Sequence, residues 1–158
     1  MATKTNAVRL LQQAGIPCHE AFYDYDENDL SGNHAAQAIG KPADEVFKTL
    51  VARGERTGIN VFCIPVCFEL NLKKAAKAVG EKSIAMIKAK ELLPLTGYVH
   101  GGCSPIGMKK FFRTTIHASA KDCPTFYVSA GKIGYQIQLA PADLARVIRF
   151  DYADLIVE

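Results

Sequence analysis

The stretch Val46-Phe47-Lys48-Thr49-Leu50-Val51-Ala52 sets one lysine inside a run of apolar, β-prone residues. Its composition predicts an extended strand, in which residues two apart share a face of the sheet. An ammonium among apolar residues is costly unless it reaches water or has a function. A lysine whose stem lies on apolar neighbours while its head reaches solvent is the structural alternative. The two faces of the predicted strand are Val46, Lys48, Leu50 and Ala52 on one side, and Phe47, Thr49 and Val51 on the other.

A second apolar run, Ile59–Val66, follows this strand after the polar connection Gly54-Glu55-Arg56-Thr57-Gly58. Two β-prone runs joined by a short polar turn with glycine predict an antiparallel hairpin. Cys63 lies inside the second run, where a strand pattern favours a small buried hydrophobe over a metal ligand. The spacings Cys63-x3-Cys67 and His100-x2-Cys103 therefore do not predict a zinc site, and no metal is expected.

Short strands outnumber helices in the rest of the chain. Helices are predicted from Thr5 or Asn6 to Gly15, and at His34–Ile39, Glu69–Val79, Ala89–Leu93 and Ala142–Ile148. Further strands are predicted at Cys18–Tyr25, Ile84–Ile87, Thr114–Ala118, Thr125–Ser129 and Ile133–Leu139, with an acidic loop at residues 24–29. This order, with no repeat and no linker, predicts one α+β domain over residues 1–158, built on a mixed or antiparallel sheet.

The composition is that of a globular protein, with 49% hydrophobic and 22% charged residues among 158. No uncharged apolar stretch approaches the ~20 residues of a membrane span, and the N terminus lacks the apolar core of a secretory signal. A cytoplasmic location is expected, and five cysteines without an export signal predict reduced thiols. A net charge of +3 permits contact with nucleic acid but is below that of a dedicated binder.

Gly101-Gly102-Cys103-Ser104-Pro105-Ile106-Gly107 is a glycine-rich segment, whose missing side chains would let backbone amides approach a ligand. A lysine with a buried stem and an amide-lined loop together indicate an anionic or carbonyl ligand. Phe-Lys-Thr-Leu at residues 47–50 and Gly-Gly-x-Ser-Pro-x-Gly at residues 101–107 resemble the motifs of the YbaK/EbsC family of aminoacyl-tRNA deacylases. The resemblance extends from about Thr5 to Glu158. It implies a mixed, partly closed β-barrel or sheet with helices packed outside.

The resemblance also implies the site residues. Lys48 matches the lysine that the family requires for deacylation, where it would hold the phosphate of the 3′-terminal nucleotide or orient the ester carbonyl. Gly101 is the second catalytic candidate, because the main chain here shapes the amino-acid pocket of YbaK-like proteins. Paired amides of Gly101 and Gly102 would stabilise a developing alkoxide. No cofactor is implied, and the implied substrate-binding residues are Tyr23, Thr49, Gly102, Ser129 and Gln136.

Each implied site residue also has a structural alternative. Tyr23 would pack at a strand edge, and Thr49 suits a strand for packing reasons alone. The two glycines and Ser129 would serve tight turns.

The chain departs from the family pattern at three positions. Cys103 stands where the family usually has an aliphatic residue, which favours a packing thiol over a nucleophile. Gln136 stands where some members carry an acid, and Tyr25 replaces a common histidine. The missing acid at position 136 leaves the substrate preference open.

The resemblance implies a trans-editing hydrolase that cleaves the aminoacyl ester of mischarged tRNA, with Cys-tRNA(Pro) as the expected substrate. Cysteine and proline are close in size, and discrimination by one methylene is worth only about 1–3 kcal/mol, so proline's synthetase needs such help. No Ser, Cys or Thr stands with a base beside the motifs, and the family implies attack by the substrate's own thiol. The alternatives are an Ala-tRNA(Pro) deacylase that activates water, and a non-catalytic module that binds tRNA or prolyl-tRNA synthetase.

Two basic clusters, Lys73-Lys74-x2-Lys77 and Lys109-Lys110-x2-Arg113, are candidates for contact with tRNA phosphates. Solvated surface faces are the alternative. The chain is a small domain with a modest positive charge, so it is expected to bind RNA weakly on its own. The expected partners are aminoacyl-tRNA, specifically tRNA(Pro), and prolyl-tRNA synthetase, with no membrane contact.

Overall fold

The computed structural model describes residues 5–25, 28 and 31–158, so the predicted acidic loop lies partly outside the described residues. The described residues form five α-helices and eight β-strands. The helices are α1 (Asn6–Gln13), α2 (Gly32–Ile39), α3 (Leu72–Val79), α4 (Ala89–Thr96) and α5 (Pro141–Leu144). The strands are β1 (His19–Phe22), β2 (Phe47–Gly54), β3 (Gly58–Pro65), β4 (Ile84–Met86), β5 (Arg113–His117), β6 (Phe126–Lys132), β7 (Tyr135–Leu139) and β8 (Phe150–Ala153).

The strands are arranged in two sheets. Three antiparallel strands form the smaller sheet in the order β1-β7-β6, and five strands form the larger one in the order β4-β2-β3-β5-β8. In the larger sheet β2 is antiparallel to β3 and β4, whereas β5 is parallel to β3 and β8. The predicted α+β fold with a mixed sheet and outer helices is confirmed. The sheets are linked by a bridge between Val46 and Tyr127 and are not closed into a barrel.

β2 and β3 form the predicted hairpin, in register over their whole length. The Glu81 carboxylate anchors its turn by accepting hydrogen bonds from the amides of Thr57 and Arg56, at 2.6 and 2.9 Å, and from the Thr57 hydroxyl at 2.8 Å. These bonds, that from the Thr57 amide most of all, lower the pKa of Glu81. Gly54 has no room for a side chain, because a Cβ would collide with the Glu81 carboxylate. The anchored hairpin fixes the strand that carries Lys48.

Alternate side chains of β2 enter different packing layers, as the sequence predicts. Phe47 and Val51 enter the main core between the two sheets, where the Phe47 ring meets the edge of Phe126 with ring centroids 5.1 Å apart. Leu50 and Ala52 face the other way and pack in the cluster that contains α3. β2 is therefore covered on both faces, which explains its nearly continuous apolar sequence.

Several element ends differ from the sequence prediction. α3 begins at Leu72 rather than Glu69, because the Asn71 side chain accepts the amides two and three residues further on and caps the helix. α5 begins at Pro141, one residue before the predicted Ala142, and ends at Leu144 rather than Ile148. β8 was not predicted. No helix in the described part of the chain combines the length and the apolar character needed to cross a bilayer.

Candidate functional site

A cavity of about 280 Å³ lies at the beginning of β2, beside residues 100–103 and the β6–β7 pair. The fold brings six of the seven predicted site residues to its wall from segments far apart in sequence. These six residues are Tyr23, Lys48, Thr49, Gly101, Ser129 and Gln136.

Gly102 is the predicted site residue that does not line the cavity. A Cβ on it would lie 2.8 Å from the backbone nitrogen of Ile133, so glycine is needed here for close packing against the turn between β6 and β7. Its amide donates to the carbonyl of Val99 at 3.0 Å. The structure therefore does not support Gly102 as one of two paired donors to a ligand.

Gly101 does line the cavity, and its backbone has a φ of +85°, in the left-handed region that favours glycine. Its amide has no hydrogen-bond acceptor among residues 5–25, 28 and 31–158. A backbone donor in this position is able to bind a carbonyl or an anion.

Lys48 lies half-buried in the cavity wall, opposite Ile64 in the hairpin. Burial lowers the pKa of the Lys48 ammonium, and the nearby charge of Glu69 opposes this shift without cancelling it. No carboxylate in the described part of the chain forms an ion pair with Lys48. The cavity thus contains a cation that is partly removed from water and forms no ion pair with any described residue.

Gln136 lies opposite Ser129 in the β6–β7 pair and is only 6% exposed. Its side-chain Oε1 has no hydrogen-bond partner among the described residues. A buried acceptor left unpaired costs about 1–3 kcal/mol, which a donor on a bound ligand would offset. The Ser129 hydroxyl, in contrast, already accepts a hydrogen bond from the Gly131 amide at 3.1 Å.

Two thiols near the cavity, those of Cys63 and Cys103, have the properties of packing residues, whereas Cys67, which also lies near Lys48, is exposed. Cys103 lines the cavity but belongs to the main core, and burial raises the pKa of its thiol to about 12. The Thr49 hydroxyl lies 3.6 Å from the buried sulfur of Cys63, with which it shares a hydrogen bond. Among the described residues, no group of three or more His, Cys, Asp or Glu side chains is placed to hold a metal ion.

The cavity wall also contains residues that were not predicted as site residues. The beginning of α2 reaches the cavity, where Ser31 caps the helix by accepting the amide of His34 at 3.2 Å. No local pattern connects this cap with Lys48, because tertiary packing alone brings them together. The other unpredicted wall residues include Asn33, Leu92 and His100.

The two basic clusters are only partly available to a nucleic acid. Lys74 forms ion pairs with Asp154 at 2.9 Å and Glu158 at 3.6 Å. Arg113 donates to the carbonyl of Val79 at the end of α3, at 3.3 Å. These two cations therefore stabilise the fold. The other members of the clusters are exposed lysines with no ion pair among the described residues: Lys73, Lys77, Lys109 and Lys110.

Comparison with known proteins identifies the family of the chain. Residues 31–147 match the family model of the aminoacyl-tRNA editing domain. EbsC of Enterococcus faecalis, a candidate Cys-tRNA(Pro)/Cys-tRNA(Cys) deacylase, is 43% identical over 96% of this chain and 93% of EbsC. A proline–tRNA ligase of Shouchella clausii is 32% identical over 49% of this chain, which corresponds to 13% of the ligase. A candidate trans-editing enzyme for prolyl-tRNA synthetase has the same fold, with a TM-score of 0.82 and 23% identity over 99% of this chain and 100% of that one.

The resemblance to the YbaK/EbsC family is thereby confirmed. Its Phe-Lys-Thr-Leu motif begins β2, and its glycine-rich motif supplies Gly101, so both motifs meet at the cavity. The family match covers most of the chain, and the identity with EbsC extends over nearly all of it. This chain belongs to the aminoacyl-tRNA editing domain family.

Proposed function

We propose that this chain is a trans-editing hydrolase, which cleaves the ester between cysteine and the 3′ ribose of mischarged Cys-tRNA(Pro). The observation that carries the proposal is the cavity in which Lys48, Gly101 and Gln136 lie together. The 43% identity with a relative named for cysteinyl-tRNA deacylation supports it. The place of action is the cytoplasm, where tRNAs are charged.

Lys48 binds negative charge at the ester end of the substrate. Its ammonium has no ion pair within the described residues, so a phosphate or a carbonyl oxygen that gains charge does not have to displace a bound carboxylate. Two unit charges about 4 Å apart attract by about 4 kcal/mol at an effective dielectric constant near 20. The Gly101 amide adds a backbone donor for the same developing charge.

Gln136 recognises the amino acid. Its unpaired Oε1 accepts a hydrogen bond from the α-ammonium group, which relieves the cost of an unsatisfied buried acceptor. Ser129 and Thr49 shape the surrounding wall, since their hydroxyls are held by Gly131 and Cys63. Tyr23 lines the cavity at the end that leads out along β1.

The nucleophile comes from the substrate. Cys103 keeps its proton near neutral pH because burial raises its pKa to about 12, and the Thr49 and Ser129 hydroxyls have the partners described above. The cysteinyl sulfur attacks its own carbonyl carbon, and the C–O bond to the ribose breaks as the C–S bond forms. The thiol proton passes to the ribose oxygen, which leaves as a hydroxyl, and water later opens the cyclic thioester. The protein contributes positioning and electrostatic stabilisation.

Prolyl-tRNA synthetase is the proposed protein partner. A proline–tRNA ligase contains a stretch 32% identical to half of this chain, which supports a common role in proofreading the same tRNA. Because Lys74 and Arg113 are committed to the fold, four exposed lysines of the two clusters remain for phosphate contacts. So few cations would bind tRNA weakly, and a complex with the synthetase would compensate for this low affinity.

The test is deacylation of tRNA(Pro) charged in turn with cysteine, serine, alanine or proline. Cysteine should be released much faster than serine, because a thiolate is far more available near neutral pH than an alkoxide. Equal release of alanine and cysteine would indicate a water-based mechanism and contradict the proposed one. Binding of tRNA with no release of any amino acid would show a non-catalytic module.

A further inference from the structure

A groove of about 740 Å³ adjoins the cavity, and Tyr23 lines both. The groove extends along the end of β1 and the turn between β6 and β7. It is open to solvent, and four of the nine described residues that line it are aromatic. Its other aromatic residues are Phe22, Tyr25 and Tyr135.

Phe22 presents one ring face to the groove and packs with the other. Its ring is stacked on that of Tyr135, with centroids 4.4 Å apart and planes inclined by 19°, yet Phe22 is 55% exposed. Tyr135 is buried, and its hydroxyl donates to the Glu20 carboxylate at 2.7 Å. Tyr135 therefore holds the Phe22 ring in place, which reduces the entropy lost when a ligand stacks on the exposed face of that ring.

Tyr25 provides a second ring in the same groove. A Cβ on Gly134 would lie 3.1 Å from the Tyr25 ring, so the absence of a side chain lets the ring rest on the backbone. The Tyr23 amide donates to the Gly134 carbonyl at 3.0 Å and ties this segment to the turn. Tyr25 is nevertheless 47% exposed, so it also offers a surface to a ligand.

The charged side chains that line the groove among the described residues have opposite signs. Lys132 and Asp24 both line it, both are exposed, and they carry opposite charges. Such a surface gives little net attraction for phosphates, whereas its rings suit flat, neutral groups. Unpaired nucleobases have this chemistry, and they stack on aromatic side chains without regard to sequence.

We propose that this groove binds the unpaired bases at the 3′ end of the tRNA, which stack on Phe22 and Tyr25 while the aminoacyl ester occupies the adjoining cavity. The inference rests on the proposed function for its ligand. The terminal base is joined to the esterified ribose, so it has to lie next to the cavity, and the shared wall residue Tyr23 places the groove there. Stacking of the bases would therefore hold the ester close to Lys48.

Binding of the trinucleotide 5′-CCA-3′ tests the inference without any need for deacylation. Phe22→Ala and Tyr25→Ala should each weaken binding roughly tenfold, the loss expected for about one base stack. Phe111→Ala is the matched control, because Phe111 is also 55% exposed but does not line the groove. The ratio between wild-type and variant affinities should stay constant as salt is raised, since the lost contact is not ionic.

Abasic trinucleotides separate stacking from indirect effects. Loss of the bases should weaken binding to the wild type far more than binding to the Phe22→Ala/Tyr25→Ala double variant. On Cys-tRNA(Pro), each single variant should raise KM by a similar factor, and thermal melts should show each variant folded at the assay temperature. Equal trinucleotide affinity in the wild type and both single variants would overturn the inference while leaving deacylation intact.

A wild type that binds the trinucleotide through these rings but releases no cysteine would support the groove and contradict the proposed function. Concentration-dependent self-association lost in Phe22→Ala would assign the groove to a second copy of the chain and overturn the inference.

Discussion

Replacement of Lys48 by methionine should abolish most deacylation without harming the fold. Methionine keeps the apolar stem and removes the ammonium, which has no ion pair among the described residues. Loss of an electrostatic group that stabilises developing charge lowers kcat by about 10²–10³. That range agrees with an attraction of about 4 kcal/mol for a charge at about 4 Å in an effective dielectric near 20. Single-turnover deacylation of Cys-tRNA(Pro) measures the loss.

The same substitution should raise thermal stability at pH 7. Burial lowers the pKa of Lys48, so the folded state disfavours the charged lysine. This cost is present below the folded-state pKa and disappears as the pH rises past the unfolded-state value of about 10.4. The stability advantage of Lys48→Met should therefore shrink as the pH approaches 10, and melting curves from pH 7 to 10 measure it.

The exposed lysine at position 82 is the matched control for this experiment, and Lys82→Met should change neither kcat nor the pH dependence of stability. A folded Lys48→Met variant with wild-type turnover would refute the electrostatic role. A variant that melts well below the wild type at pH 7 would show that Lys48 serves the fold, as the structural alternative holds.

Three further predictions follow from groups around the site and the hairpin. Gln136→Leu should raise the free energy of unfolding, because it removes a buried acceptor whose lack of a partner costs about 1–3 kcal/mol, and it should raise KM for Cys-tRNA(Pro). A lower melting temperature would show that Oε1 is bonded in solution. Gly102→Ala should lose about 1–3 kcal/mol in urea unfolding, because its Cβ would press on the Ile133 backbone; unchanged stability would contradict that packing. Glu81→Gln should be less stable than the wild type at pH 7. Since the folded-state pKa of Glu81 is lowered, the difference should disappear as the pH falls below about 4, and a constant difference would contradict it.

The hairpin and most elements were predictable because their signals are local. The polar turn at residues 54–58 joins two β-prone runs, and Thr5, Gly40 and Gly80 act as the caps that their residue types indicate. The site was predictable through the two family motifs, which name residues 47–50 and 101–107 but do not say how the intervening chain folds. Six of the predicted site residues accordingly line one cavity.

Long-range packing accounts for what the sequence did not predict. β8 is defined by parallel pairing with β5, which no short pattern reveals. Gly102 matches the motif, but its amide donates a hydrogen bond to the Val99 carbonyl, and its Cα lies against the β6–β7 turn. Lys74 belongs to a basic cluster in sequence, yet Asp154 is its partner in the fold. In each case the neighbour that matters belongs to a distant segment of the chain: β5 for β8, Ile133 for Gly102 and Asp154 for Lys74.

The central claim is that the substrate supplies the nucleophile, and a comparison of two substrates tests it most directly. Cys-tRNA(Pro) with a free thiol and the same tRNA with an S-alkylated cysteine should be given to the wild type and to Cys103→Ser. Because burial keeps the Cys103 thiol protonated, both proteins should cleave the free-thiol substrate and neither should cleave the alkylated one. Equal rates on both substrates, together with an inactive Cys103→Ser variant, would show that the protein carries its own thiol nucleophile and would contradict the account.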